Sequence, residues 1–237
     1  IIIPAYNEEK LIADTLEQVT KFLEAKSFVY EIIVVDDGSK DSTVEIAKSF
    51  GSKGKRLPVS VVENIKNKGK GFSVRKGFKN ARGEYACFSD ADLSTPIKDV
   101  DKLLEWLKEG YDVAIGSRAL KESKVDLHQP WWREIMGKTF NKFVQVLAIR
   151  GIKDTQCGFK CFSKEAYTEV FKRQTIDGFG FDVEALFIAK KHGFKIKEVP
   201  VTWVNRFESR VNPILHPIQM LGELVLIRFR DFIGAYK

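Results

Sequence analysis

The first 120 residues alternate between two kinds of segment, and this alternation constrains the fold more than any other feature of the chain. Short runs at Ile1–Ile3, Glu31–Val35, Val59–Val62, Tyr85–Ser89 and Val113–Ile115 have the β-branched and aromatic character of strands. Between them, apolar residues at helical spacing predict helices over Glu8–Ala25, Ser42–Phe50, Lys70–Ala81 and Lys98–Glu109. Such repetition builds an α/β fold, a mostly parallel sheet covered by helices. Ligands of these sheets gather beyond the carboxyl ends of the strands. Chemistry is therefore expected in the stretches after each strand, and every one of them is polar. They are Pro4-Ala5-Tyr6-Asn7-Glu8, Asp36-Asp37-Gly38-Ser39, Asn64 to Gly71, Asp90-Ala91-Asp92 and Gly116-Ser117-Arg118.

The second half is less regular. Trp131–Arg150 reads as a helix, with Trp132, Ile135, Met136, Phe140, Phe143 and Leu147 on one face and Gly151 as its stop. A loop over Lys153–Lys160 follows, then helices near Lys164–Arg173 and Asp182–His192, a strand Lys195–Trp203 and an apolar helical tail Ile214–Ile233. No linker divides the chain, so residues 1–237 are expected to form one domain. The regular first 120 residues form one half of it, and residues 121–237 the other. The apolar runs are too short to span a bilayer. Because the chain opens inside a strand without an initiator Met, a preceding segment is expected, an anchor among the options.

With 44% hydrophobic and 30% charged residues, the chain can bury a core and is not a disordered or fibrous one. Its net charge of +7 is uneven: residues 1–50 hold 5 basic and 10 acidic side chains. An acidic front on a basic body suits an anionic ligand held beside carboxylates. Three cysteines, Cys87, Cys157 and Cys161, predict a reduced chain rather than a disulfide framework.

Asp90-Ala91-Asp92 is the sharpest local signal. In extended chain, side chains two apart point the same way, and two carboxylates so placed repel each other unless a cation joins them. Mg²⁺ is commonly held by one or two carboxylates together with substrate phosphates. The competing reading is a solvated turn that caps the next helix. Asp36-Asp37 is a second pair, suited to base or ribose hydrogen bonds and equally to an Asx turn. From Asn64 to Arg82 there are seven basic residues and no acid, and the glycines of Asn67-Lys68-Gly69-Lys70-Gly71 leave backbone N–H groups open to an anion at a helix start. About half of those charges, Lys76, Lys79 and Arg82 among them, read as a solvated face. The chain has neither a Walker A loop nor a G-x-G-x-x-G fingerprint. A nucleic-acid-binding module is the outlying alternative suggested by the sequence pI of about 9.2, but carboxylates sit where phosphates would have to go.

Six motifs now stand in order: Pro4-x-Tyr6-Asn7-Glu8, Val34-Val35-Asp36-Asp37-Gly38-Ser39-x-Asp41, Asn67-x-Gly69-Lys70-Gly71, Asp90-x-Asp92, Gly116-Ser117-Arg118 and Asp154-Thr155-Gln156-Cys157-Gly158-Phe159-Lys160. Together they resemble family 2 glycosyltransferases of the GT-A fold, and within these the dolichyl-phosphate β-glucosyltransferases and other polyprenyl-phosphate sugar transferases. The resemblance implies that residues 1–120 are the nucleotide-sugar-binding half and residues 121–237 the acceptor and membrane-facing half. The resemblance implies that Pro4, Tyr6, Glu8, Asp36 and Asp37 cradle the base and ribose of a nucleotide sugar, with Lys70 nearby. Asp90, Ala91 and Asp92 would meet the diphosphate, the two carboxylates through Mg²⁺ or Mn²⁺. It implies that Arg118 faces donor or acceptor phosphates, that Ser209 and Arg210 belong to a loop closing over the diphosphate, and that Asp154 serves as base or orients the acceptor. Arg133 corresponds to an acceptor-phosphate arginine, although relatives carry Ser four residues later where this chain has Gly137.

The reaction so implied is inverting transfer of a hexose, glucose from UDP-glucose, to dolichyl or polyprenyl phosphate, with a GDP-mannose enzyme as the alternative. A lipid acceptor also accounts for Trp131–Leu147 and Ile214–Ile233, whose aromatic and aliphatic residues stand beside Arg133, Lys138, Lys142, Arg150, Arg228 and Arg230. That composition suits helices lying in a membrane interface, and equally helices packed on a core. The expected location is a membrane surface with the catalytic domain on its cytoplasmic side, the endoplasmic reticulum in a eukaryote or the plasma membrane in a prokaryote.

Overall fold

Neighbouring residues of each strand go to opposite faces of one seven-stranded sheet. Ile2, Ile33 and Phe88 enter one apolar cluster, while Ile3, Val34 and Cys87 enter the other. This period-two division is what the strand pattern predicts. A computed structural model describes residues 1–52, 59–126, 131–204 and 215–237, without the side chains of 52, 131–136, 138 and 215–217.

The strands are β1 (Ile2–Ala5), β2 (Ile32–Asp36), β3 (Val59–Glu63), β4 (Tyr85–Ser89), β5 (Val113–Ser117), β6 (Lys124–Asp126), β7 (Phe159–Ser163), β8 (Ile196–Pro200) and β9 (Thr202–Val204). The large sheet runs β3-β2-β1-β4-β7-β5-β8, and β6 pairs with β9 alone. All its pairings are parallel except those of β7, which lies antiparallel between β4 and β5. The first face is covered by α3 (Lys70–Asn80), α5 (Trp131–Leu147), α6 (Lys164–Arg173), α7 (Phe181–Lys191) and α8 (Leu215–Phe232). The second is covered by α1 (Ile12–Glu24), α2 (Thr43–Ser52) and α4 (Val100–Lys108). Phe78 of α3 stacks on Phe171 of α6 and meets Phe162 of β7 edge-on at 5.2 Å. Aromatic contacts of this kind add roughly 1 kcal/mol each beyond area burial.

Four expectations change. The stretch read as a loop ending at Lys160 already contains the start of β7, whose five residues Phe159–Ser163 are too few to show a period and include a lysine. The strand expected at Lys195–Trp203 is two strands in different sheets, β8 and β9, which part at Val201. The helix expected from Glu8 begins at Ile12, because Asn7 takes a positive φ of 51° and residues 8–11 form a turn. The chain also holds a disulfide: Cys87 and Cys161 stand opposite each other in the β4–β7 register and are bonded, leaving Cys157 as the free thiol.

The apolar C-terminal stripe is only partly taken up by the core. Met220, Leu224 and Ile227 of α8 are in the core, while Ile218, Val225, Leu226, Phe229, Phe232 and Ile233 are exposed. On α5 the same division separates Phe140 and Val144 from exposed Phe143 and Val146. Among the described residues, no helix is long and apolar enough to cross a membrane.

Candidate active site

The carboxyl ends of β2, β1, β4 and β5 share one edge of the sheet, and because β7 is antiparallel the loop entering it arrives at the same edge. Asp90 N donates to Gly158 O at 3.2 Å, so the Asp90 turn and the Asp154–Gly158 loop are joined there. A Cβ on Gly158 would overlap the Asp90 carboxylate; its absence makes room for that group.

Asp90 to Leu93 is a turn, closed by Leu93 N on Asp90 O at 3.1 Å, with Leu93 at a positive φ of 47°. The two aspartates therefore do not stand on extended chain, and each has its own surroundings. Asp90 Oδ1 meets the ammonium of Lys70, the first residue of α3, at 2.6 Å. Burial would lower the Lys70 pKa, but the charges of Asp90 and Asp182 outweigh it and the pKa is raised. Asp92 accepts from the N–H and the hydroxyl of Ser94, both at 2.9 Å, which is the turn-capping arrangement. Ala91, buried between them, has its carbonyl held by the Thr15 hydroxyl.

Asp36 and Asp37 are both buried and do different work. Asp36 Oδ2 accepts from Gly38 and Ser39 N–H at 3.0 Å each, whereas its Oδ1 is buried with no hydrogen-bond partner. The Asp36 residue helps to line a polar cleft of about 830 Å³ together with Tyr6, Lys40, Lys48, Asn64 and Lys66 among others. Asp37 accepts from Asn64 Nδ2 (2.8 Å), Lys68 N (2.9 Å) and Gly69 N (2.8 Å). Three of the N–H groups expected to receive a ligand anion are thus already taken. Asp37 occupies two of them, and the Asp177 carbonyl accepts from Gly71 N at 2.8 Å. Gly69 sits at φ 102°, and a Cβ there would overlap Asp177 O, so the glycines serve close backbone approach. Within the predicted solvated face, Lys79 and Arg82 are exposed, Arg82 pairing with Glu31, whereas Lys76 is half-buried and bonds Glu63 O and Asn64 Oδ1.

Arg118, just past β5, is held by Asp154 from three donors: its backbone N at 2.9 Å, Nε at 2.7 Å and Nη2 at 2.9 Å. Asp154 is itself positioned by Glu198, which accepts from the N–H groups of Lys153 (2.9 Å) and Asp154 (3.0 Å). Burial alone would push the Asp154 carboxyl up, but the Arg118 charge and its hydrogen bonds prevail and hold it at about 2. The Trp203 ring lies 5.6 Å from the guanidinium carbon. Burial pushes the Cys157 thiol up to about 11, which keeps it protonated and inert.

One sheet edge thus gathers carboxylates, a lysine paired with one of them and an arginine clamped by another. The profile of "Glycosyl transferase family 2" matches residues 1–171. The chain belongs to that family. As a family 2 glycosyltransferase it is 38% identical over 247 residues to a dolichyl-phosphate beta-glucosyltransferase of Dictyostelium discoideum, covering 100% of this chain and 76% of that protein. The Homo sapiens protein of the same name is 36% identical over 248 residues, with the same coverage. In fold, the transferase matches glucosyl-3-phosphoglycerate synthase from Mycobacterium tuberculosis, solved with Mn²⁺, UDP-glucose and phosphoglyceric acid. The TM-score is 0.71 at 20% identity, covering 95% of this chain and 78% of that one.

The transferase brings Pro4, Tyr6, Glu8, Asp36, Asp37, Lys70, Asp90, Asp92, Arg118 and Asp154 to one sheet edge. Arg133 lies on α5 with its side chain outside the described residues, and Ser209 and Arg210 lie outside them altogether. Two further groups have no role assigned from the sequence. Lys160, fully buried on β7, donates to Asp182 Oδ1 at 2.5 Å and to Cys157 O at 2.6 Å. Glu198, on β8, is 44 residues from the Asp154 backbone it holds. Only the apolar neighbours Phe159, Cys161 and Phe162 hinted that Lys160 would be buried.

Proposed function

We propose that this family 2 transferase moves glucose from UDP-glucose to dolichyl phosphate with inversion, giving a β-linked glucosyl phosphate lipid. Likeness over the full chain to enzymes named for that activity carries the reading. The geometry supports it. Adjacent strands are about 4.8 Å apart, so the Asp36 cleft at β2 and the Asp90 turn at β4 are about 10 Å apart, a reach suited to a base at one end and a diphosphate at the other. Asp36, whose buried Oδ1 has no hydrogen-bond partner within the protein, borders that cleft with Tyr6 and suits the base or ribose end.

In the reaction an acceptor phosphate oxygen bonds to the anomeric carbon while the bond from that carbon to the UDP oxygen breaks and its electron pair leaves with UDP. Negative charge develops on the diphosphate, and the Lys70 ammonium stands at the edge that receives it. The acceptor phosphate, with a second pKa of about 6, is ionised at neutral pH and needs no strong base. A carboxylate held at about 2 is a weak base, so we assign Asp154 to fixing the Arg118 fork, which presents the acceptor or donor phosphate with a directed cation. The donor set fits a hard divalent cation. Two carboxylates lie one residue apart on the turn, and the Lys70 ammonium on Asp90 and the Ser94 donors on Asp92 leave oxygen lone pairs for a cation. Asp90 and Asp92 would hold Mg²⁺ or Mn²⁺ jointly with phosphate oxygens, since no described cluster of three or more His, Cys, Asp or Glu could bind it alone. When bound, such an ion neutralises charge on the leaving diphosphate.

The exposed faces of α8 and α5, with Arg228, Lys142 and Arg150 on the same helices or just beyond, support docking on the membrane that carries the lipid acceptor. Labelled UDP-glucose, Mg²⁺ or Mn²⁺ and dolichyl phosphate should give label in the organic phase, and GDP-mannose should give little. No organic-phase label, or more from GDP-mannose, would overturn the assignment.

A further inference from the structure

Glu223 lies on α8 between its core-facing and exposed sides, and it reaches out of the helix. Its Oε2 accepts the N–H of Gly180 at 2.7 Å, and Oε1 accepts from Gln219 Nε2 at 3.0 Å. A Cβ on Gly180 would stand 2.5 Å from Oε2, and one on Gly178 would overlap Oε1, so this stretch is shaped around the carboxylate. The stretch from Gln174 to Gly180 lies on the start of α3. Asp177 O accepts from Gly71 N at 2.8 Å and Phe72 N at 3.4 Å, while Asp177 and Gln174 hold Arg75 at 2.6 and 3.0 Å. Lys70, which grips Asp90, is the residue immediately before Gly71.

A second route joins the same places. Asp182, two residues past Gly180, holds buried Lys160, and its charge also acts on Lys70. The C-terminal region touches this stretch again through Glu184. That carboxylate accepts from Thr175 N (2.9 Å), Ile176 N (2.7 Å) and the Tyr236 hydroxyl (2.6 Å), and it pairs with Arg230 at 3.5 Å.

We infer that Glu223 is a positioning residue for the Lys70–Asp90 pair, and that through it engagement of the exposed face of α8 by a membrane is transmitted to the donor site. Coupling of this kind travels through contiguous hydrogen bonds and packed elements. The membrane half of the inference rests on the docking reading above; the link from Glu223 to Gly71 does not.

The test is amide hydrogen exchange at Gly71 and Phe72 on the full chain, with and without phosphatidylcholine–phosphatidylserine vesicles, together with the Kd for UDP in the presence of Mn²⁺. Glu223→Ala should speed exchange at these amides and weaken UDP binding by about tenfold each, the weight of one net hydrogen bond. Glu223→Gln, whose amide oxygen accepts the same N–H, should stay close to the parent, and Gly180→Ala should follow Glu223→Ala because it displaces the carboxylate without removing it. Vesicles should slow exchange at Gly71 and Phe72 in the parent but not in Glu223→Ala, although both sediment with them. A double variant, Phe229→Ser with Phe232→Ser, should no longer sediment and should show the parent's vesicle-free exchange. Unchanged exchange in Glu223→Ala, or a vesicle response that survives it, overturns the inference. A parent that fails to sediment refutes the membrane half alone, and a parent that binds no UDP refutes the donor reading while exchange still decides the Glu223 link.

Discussion

Replacing Asp154 by Asn removes the charge that holds Arg118 while keeping the size of the side chain. In the folded protein that carboxyl is held at about 2, against an ordinary 3.8. Because the folded value is depressed, its contribution to stability is fully present above the ordinary value and is lost as pH falls through about 2. A depression of this size corresponds to about 2 kcal/mol at neutral pH. The Arg118 side chain is 32% exposed. Water therefore compensates the arginine in part, and about 1–2 kcal/mol is the loss to expect. For a chain of this length each kcal/mol shifts Tm by roughly 2–4 °C, so Asp154→Asn should melt about 2–8 °C lower at neutral pH, a gap that closes as pH falls from about 4 to about 2. A loosened arginine forfeits a charge-assisted hydrogen bond of about 1.5–3 kcal/mol, which predicts a fall in kcat of roughly ten- to hundredfold. The shape of the pH–rate profile should not change, since its acid limb belongs to the acceptor phosphate near pH ~6. Thermal melts and initial rates across the neutral range measure both effects. An unaltered Tm with full activity, or an acid limb that vanishes with Asp154, would refute the assignment of this carboxylate to holding Arg118.

Gly158→Ala should drive the Asp90 carboxylate out of its place and cut transfer by more than about tenfold with a Tm within a few degrees of the parent, because the displaced group is a side-chain end rather than backbone. Gly69→Ala combines a positive φ with overlap onto the Asp177 carbonyl, and should cost about 2–4 kcal/mol by urea denaturation. Thiol titration in denaturant without reductant should find the single thiol of Cys157, and all three cysteines after reduction; three without reductant would show that Cys87 and Cys161 are not joined.

Much of the site was legible because its residues follow strands. Asp36-Asp37, Asp90-Ala91-Asp92 and Arg118 each close a β-branched or aromatic strand run, and parallel strands collect such ends at one edge whatever the loops do. The division of labour inside these motifs was not legible. Asp36 and Asp37 are adjacent and chemically identical, yet one keeps a buried oxygen without a partner while the other is consumed by Lys68 and Gly69 N–H groups. Asp90 and Asp92 look equivalent on extended chain, but the turn at Leu93 sends one to Lys70 and the other to Ser94.

From the order of residues alone follow the alternation of strand and helix, the two-faced strands and the motifs at the sheet edge. These are local properties, set by periodicity and by which side chains tolerate water. Only the tertiary structure decided that β7 runs antiparallel between β4 and β5, which is what carries Asp154 to Arg118 and Gly158 to Asp90. It alone sets Lys160 beneath the site on Asp182 and joins Cys87 to Cys161 across 74 residues. Those partners meet through strand order and register, and a residue's own neighbours in the chain hold no record of which distant strand will lie beside it.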